Sequence, residues 1–188
     1  MNHKVISRYA GLAAGVALLV ACGGTPSTTT QAQVQPSPTP AVHTLAGGCA
    51  GTVLTDSQPP IWAQGGWTNP KGLAWGVPWA LGTDGTTVAY VFATQLVAGP
   101  SPRANGTNNK VLWEAKDYPS GGGVMVEGHP LGASQPVVTI AGGPSITDVP
   151  AAGCWTFQLS WTANGRQSKS TINLDVLPAG SVPVGQPA

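Results

Sequence analysis

Glu127 and His129 stand two residues apart, a spacing that puts both side chains on one face of a strand, where a carboxylate and an imidazole could seat a metal or trade a proton. Two ligands are too few for a metal site, and a solvated face entering a turn at Pro130 is the simpler reading. The other histidine beyond the first residues of the chain is His43, and no G-x-S-x-G is present, so a serine nucleophile has no support. Glu114 and Asp117 are single acids with no second carboxylate placed by spacing for glycoside chemistry. Asp84-Gly85 and Asp56-Ser57 read as turn residues before calcium ligands. No catalytic residue, metal or cofactor is expected from these patterns, and the chain is not read as an enzyme.

Tryptophan is the unusual feature, with seven against two phenylalanines. Trp75, Trp113 and Trp155 fall on short apolar runs and are expected in the core. Trp62, Trp67 and Trp79 lie in a stretch rich in Gly and Pro, where irregular loops leave rings at the surface. These three are the candidate ligand-binding residues, stacking platforms for a glycan or a protein partner, with core or rim packing as the competing reading.

The elements that must carry these side chains start with the N-terminus. Lys4 and Arg8 precede an uncharged run over 12–21. A run of roughly ten residues is too short to span a bilayer that needs about twenty helical residues, which suits a cleavable signal. The run ends in Leu19-Val20-Ala21-Cys22, which resembles the lipobox of bacterial lipoproteins at all four positions. The resemblance implies that 1–21 is a lipoprotein signal peptide and that Cys22 takes a diacylglycerol. The alternative is an ordinary secretory signal with a chance cysteine. With two chains, each worth about 0.8 kcal/mol per buried methylene, the lipid would hold the protein stably on the extracytoplasmic side of a membrane, either inner or outer.

Residues 22–46 are Thr, Ser, Pro, Gln and Ala with almost no large apolar side chain, so a lipid-anchored disordered linker is expected there. A flexible chain of about 25 residues has a reach of roughly 25–30 Å. A second disordered segment is expected over 178–188. Charged residues make up only 8% of the chain. Beyond the signal, Lys71, Arg103, Lys110, Lys116, Arg166 and Lys169 nearly balance Asp56, Asp84, Glu114, Asp117, Glu127, Asp148 and Asp175. No basic run exists to neutralise phosphates, which argues against nucleic acid as a partner.

Residues 47–177 have the length of one domain. Helical periodicity is missing, and short β-branched or aromatic runs recur between Gly, Pro, Asn and Asp clusters, the pattern of an all-β, antiparallel β-sandwich. Trp155, Phe157, Leu159 and Trp161 alternate with polar residues, and Asn164-Gly165 supplies a type I′ turn. Counting back from that turn sets Ala163 opposite Arg166, Phe157 opposite Ile172 and Trp155 opposite Leu174, with Asn173 and Asp175 facing outward. Further strands are expected over 52–55, 73–77, 86–94, 110–115, 124–127 and 137–141, about eight in all. Alternation places Leu73, Trp75 and Val77 inward, and likewise Val88, Tyr90 and Phe92. With Cys22 acylated, Cys49 and Cys154 remain as a pair in an oxidising compartment, and a disulfide between them is expected. Trp155 is then expected to pack against that bridge.

Cys49-Ala-Gly-Thr, the Leu73-Ala-Trp75 strand, Lys110-Val-Leu-Trp113, Val126-Glu-Gly128-His-Pro-Leu131 and Pro150-Ala-Ala-Gly153-Cys154-Trp155 before a final hairpin together resemble an Ig-like domain found in bacterial lipoproteins. The resemblance covers most of 47–177 and implies an Ig-like sandwich outside the cytoplasm, but no activity. The expected function is that of a non-catalytic, membrane-tethered interaction or structural module. A binding module for cell-wall or other glycan, using Trp62, Trp67 and Trp79, is the second reading, and an accessory envelope enzyme the third.

Overall fold

An Asn-Gly pair with positive φ at both residues turns a chain through a tight hairpin whose twist matches that of its strands. Asn164 and Gly165 do this here, at φ 51° and 74°. The computed structural model describes residues 43–66, 76–118 and 123–183. In it, Ala163 pairs with Arg166, Phe157 with Ile172 and Trp155 with Leu174, the register that the turn and the alternation require.

That hairpin forms the centre of a five-stranded sheet. Its strands are β5 (Leu96–Val97), β7 (Met125–Pro130), β8 (Val138–Ala141), β10 (Gly153–Ala163) and β11 (Arg166–Leu177), in spatial order β5-β11-β10-β7-β8. The six-stranded partner sheet runs, in spatial order, β1 (Thr44–Leu45), β2 (Leu54–Thr55), β3 (Trp79–Leu81), β4 (Thr87–Val91), β6 (Lys110–Ala115) and β9 (Gly143–Ile146). The fold is therefore an all-β, two-sheet sandwich. Not every pair is antiparallel, since β5 runs parallel to β11. The expected eight strands become eleven among the described residues, because β1, β3, β5 and β9 are two to four residues long and too short to show a period.

Trp113, Val126, Trp155, Phe157, Leu159, Ile172 and Leu174 fill the space between the sheets. The rings of Trp113 and Phe157 lie 5.1 Å apart and tilted. A Cβ at Gly128 would come within 2.6 Å of Val138 and 3.0 Å of Phe157, so only glycine lets β7 pass beside that ring.

Alternation misplaces Val88 and Tyr90 of β4 and Phe92 just beyond it. This strand is buried on both faces: Ala89 and Val91 face the main core, while Val88 and Tyr90 join Ala63 and Trp79 in a second cluster on the outer side of the sheet. Phe92, expected inward, lies past the strand end and is 42% exposed, with the Lys110 ammonium 5.5 Å from its ring centre. The inward expectation for Leu73 and Trp75 falls outside the described residues.

Asn173, expected outward, is buried, because residues 49–52 lie across it. Its N–H donates to Thr52 Oγ1 at 2.9 Å, and its carbonyl accepts from Cys49 N–H at 3.3 Å. Cys49 and Cys154 form the expected disulfide, with Cα atoms 6.0 Å apart. The bridge does not pack beside Trp155 between the sheets. Consecutive strand residues point to opposite faces, so with Trp155 in the core Cys154 turns to the other side of the sheet, half-buried.

Both ends of the domain extend past the expected limits. β1 begins at Thr44, inside the stretch expected as linker, and His43 Nδ1 lies 3.0 Å from the Asp56 carboxylate. At the other end, Ser181 N–H bonds the Pro178 carbonyl in a turn, within the stretch expected as tail. The edge beyond β5 is closed by a side chain: Val97 N–H donates to Asn109 Oδ1 at 3.1 Å and Asn109 Nδ2 donates to Val97 C=O at 2.7 Å. A buried amide thus takes the place of a neighbouring strand. Asp148 and Arg103 hold it in turn.

Candidate functional site

Pro59 and Pro60 open a short 3-10 helix, Ile61–Gly66, against the outer face of the six-stranded sheet. Ala63 N–H bonds the Pro60 carbonyl at 2.8 Å, and Gln64 Nε2 bonds that of Pro59 at 2.9 Å. Ala63 is fully buried, and its carbonyl accepts the Tyr90 hydroxyl at 2.8 Å. Burial of that hydroxyl, with the charge of Glu114 adding to its effect, pushes the Tyr90 phenol well above its ordinary pKa. Docking through Ala63 leaves the neighbouring Trp62 half-buried at the edge of the cluster.

Trp62 borders a cleft of about 520 Å³. Its walls come from the end of β6 and the following turn, Leu112 to Tyr118, and from Val124, Gly142 and the first residue of β9, Gly143. Glu114 reaches it because of strand alternation. Val111 and Trp113 face the core, so Leu112 and Glu114 take the outer face, and Leu112 packs onto the second cluster beside Trp62. Asp117 has φ 58°, a left-handed conformation that Asp tolerates better than most residues. Tyr118 is 39% exposed. The lining of the cleft therefore includes the aromatic residues Trp62, Trp113 and Tyr118, the acids Glu114 and Asp117 and the base Lys116.

Burial raises the Glu114 pKa above the ordinary carboxylate value. A raised folded-state pKa means the charged form is disfavoured by folding, so its cost is absent at low pH and appears as pH rises through the raised value. Glu114→Gln is expected to raise the melting temperature at neutral pH, through a stabilisation of less than about 1 kcal/mol after solvent screening. The gain should vanish below the carboxylate range. Melting curves of both proteins across that range check the sign, and an equal gain at every pH would remove titration as the cause.

Of the three tryptophans read as a binding surface, the structure keeps one at a cleft. Trp79 is only 8% exposed and its Nε1 donates to the Ser57 carbonyl at 2.6 Å. It is a wall of the second cluster, because the 3-10 helix and β4 cover a ring that local sequence leaves in a loop. Trp67 lies outside the described residues, as does Cys22.

Glu127 and His129 share the outer face of β7, away from the cleft, where His129 Nδ1 lies 3.0 Å from the Pro130 carbonyl. Among the described residues no group of three or more His, Cys, Asp or Glu could hold a metal. Asp84 is a turn residue: burial opposes its ionisation, but hydrogen bonds from Ser170 and Thr86 outweigh that and hold its pKa below the usual value.

The grouping of Trp62 with Glu114, Asp117 and Tyr118 was not foreseen. The alternation of β6 already places Glu114 opposite Trp113, but nothing in the sequence brings residue 62 to that face. No family model, curated protein or solved structure matches the chain.

Proposed function

We propose that this protein is a non-catalytic binding module of the cell surface, tethered to a membrane through lipid on Cys22, which takes a glycan in the cleft beside Trp62. The observation that carries the reading is the half-buried Trp62 ring in one cleft with Glu114 and Asp117. A sugar ring presents apolar C–H faces that stack on an aromatic and hydroxyls that donate to carboxylates, and a concave site with few polar groups is where such ligands sit. The resemblance of the chain to the Ig-like domains of bacterial lipoproteins supports the finer description of the sandwich and its place outside the cytoplasm. The lipobox-like Leu19-Val20-Ala21-Cys22 supports the tether.

Two measurements test this. Cys22→Ala is expected to move the protein from the membrane fraction to the soluble fraction, and a variant still wholly membrane-bound would sink the tether. Trp62→Ala in the full-length protein is expected to lose retention on isolated cell envelope at a nearly unchanged melting temperature. Retention equal to wild type would remove the cleft as the binding surface. Release of reducing sugar from the envelope would overturn the non-catalytic part of the reading.

A further inference from the structure

The cleft is lined by acids of unequal standing. Asp117 sits in a turn, whereas Glu114 sits on β6, where the ladder opposite Val88 fixes its backbone. A side chain on a strand holds its position better than one on a turn, which is what recognition requires. Among the described residues none donates a hydrogen bond to the Glu114 carboxylate. A half-buried carboxylate without donors has lost part of its hydration, and a ligand that brings donors restores it through charge-assisted hydrogen bonds.

Resting on the glycan reading of the cleft, we propose that Glu114 is its specificity-determining residue, accepting hydroxyl or amide donors from an uncharged sugar on Trp62 and rejecting sugars that carry a carboxylate. The selectivity follows from charge. Glu114 and Asp117 outnumber Lys116 in the lining, so an acidic sugar must bring a third carboxylate into a site that already has a surplus of one. An uncharged sugar has no such penalty and supplies donors to both oxygens of Glu114. The ring of Trp62 sets where the sugar lies, and Glu114 sets which sugar stays.

The test uses the full-length protein and four soluble probes: chitohexaose, cellohexaose and maltohexaose as uncharged chains, and hexagalacturonate as the acidic one. Wild type is expected to bind at least one uncharged chain and to bind hexagalacturonate at least about tenfold more weakly. Glu114→Gln keeps the shape of the side chain but loses the charge. It is expected to weaken the uncharged chain about tenfold, the scale of a lost charge-assisted hydrogen bond, and to narrow the gap to hexagalacturonate. Far-ultraviolet circular dichroism and melting confirm that the variant is folded. If Trp62→Ala loses binding while Glu114→Gln binds the uncharged chain as wild type does, the glycan reading stands and the role of Glu114 falls. Hexagalacturonate binding as tightly as the best uncharged chain overturns the selectivity. Wild type that binds none of the four overturns both.

Discussion

Cys49→Ser and Cys154→Ser are each expected to lower stability by about 4–5 kcal/mol, and the double variant by no more than either alone. The magnitude comes from the loop that the bridge closes, since the two cysteines are 105 residues apart and cutting the bond frees that whole length in the unfolded chain. The equality comes from connectivity: both substitutions remove one bond. The bridge also holds residues 48–49 beside β11, where Gly48 pairs with Leu174 and Cys49 N–H bonds the Asn173 carbonyl. Without it, the entry of the chain into the domain is retained by these hydrogen bonds and by the packing of Leu45 against the core. Denaturant unfolding of the three variants measures the effect. Additive losses, or two thiols that titrate in the unreduced protein, would contradict it.

The second large effect is expected from Trp155→Ala, at about 3–5 kcal/mol. This ring is 1% exposed in the space between the sheets, and its Nε1 donates to the Ala151 carbonyl at 2.9 Å. Truncation leaves a cavity that the two sheets cannot close, and it strips that carbonyl of its partner. Trp62→Ala should cost less than about 1 kcal/mol, because a half-buried ring has fewer contacts to lose. The contrast separates a ring that builds the fold from one that serves the cleft. If the two variants melt together, Trp62 is a structural residue and the binding role assigned to it fails.

The chemistry of the site and the architecture around it were legible to different degrees. The register of β10 and β11 could be counted from Asn164-Gly165, because a two-residue turn fixes both φ angles locally and the period of two then propagates along both strands. The Cys49–Cys154 pairing follows from parity on the expectation that Cys22 carries lipid. The spread of Gly, Pro and short β-branched runs was enough for an all-β sandwich. These are properties of neighbouring residues, and sequence records neighbours directly.

Tertiary structure alone decided the rest. Val88 and Tyr90 alternate like core residues, and they are buried, but against a 3-10 helix from 61–66 rather than the opposite sheet. Which face of a strand buried on both sides meets which partner depends on what the chain lays over it. Trp79 is hidden for the same reason, although it stands just beyond the strand expected over 73–77, in a stretch rich in Gly and Pro. β5 is two residues long and parallel to β11, so neither a period nor a hairpin turn announces it. The cleft is the furthest from local information. Trp62 and Glu114 are separated in the chain by β3, β4, β5 and most of β6, and they come together because Ala63 docks its helix on Tyr90 while strand alternation turns Glu114 to that same face. A sequence states which side chains are present and which way neighbours alternate; only the packing of distant segments determines which of them share a site.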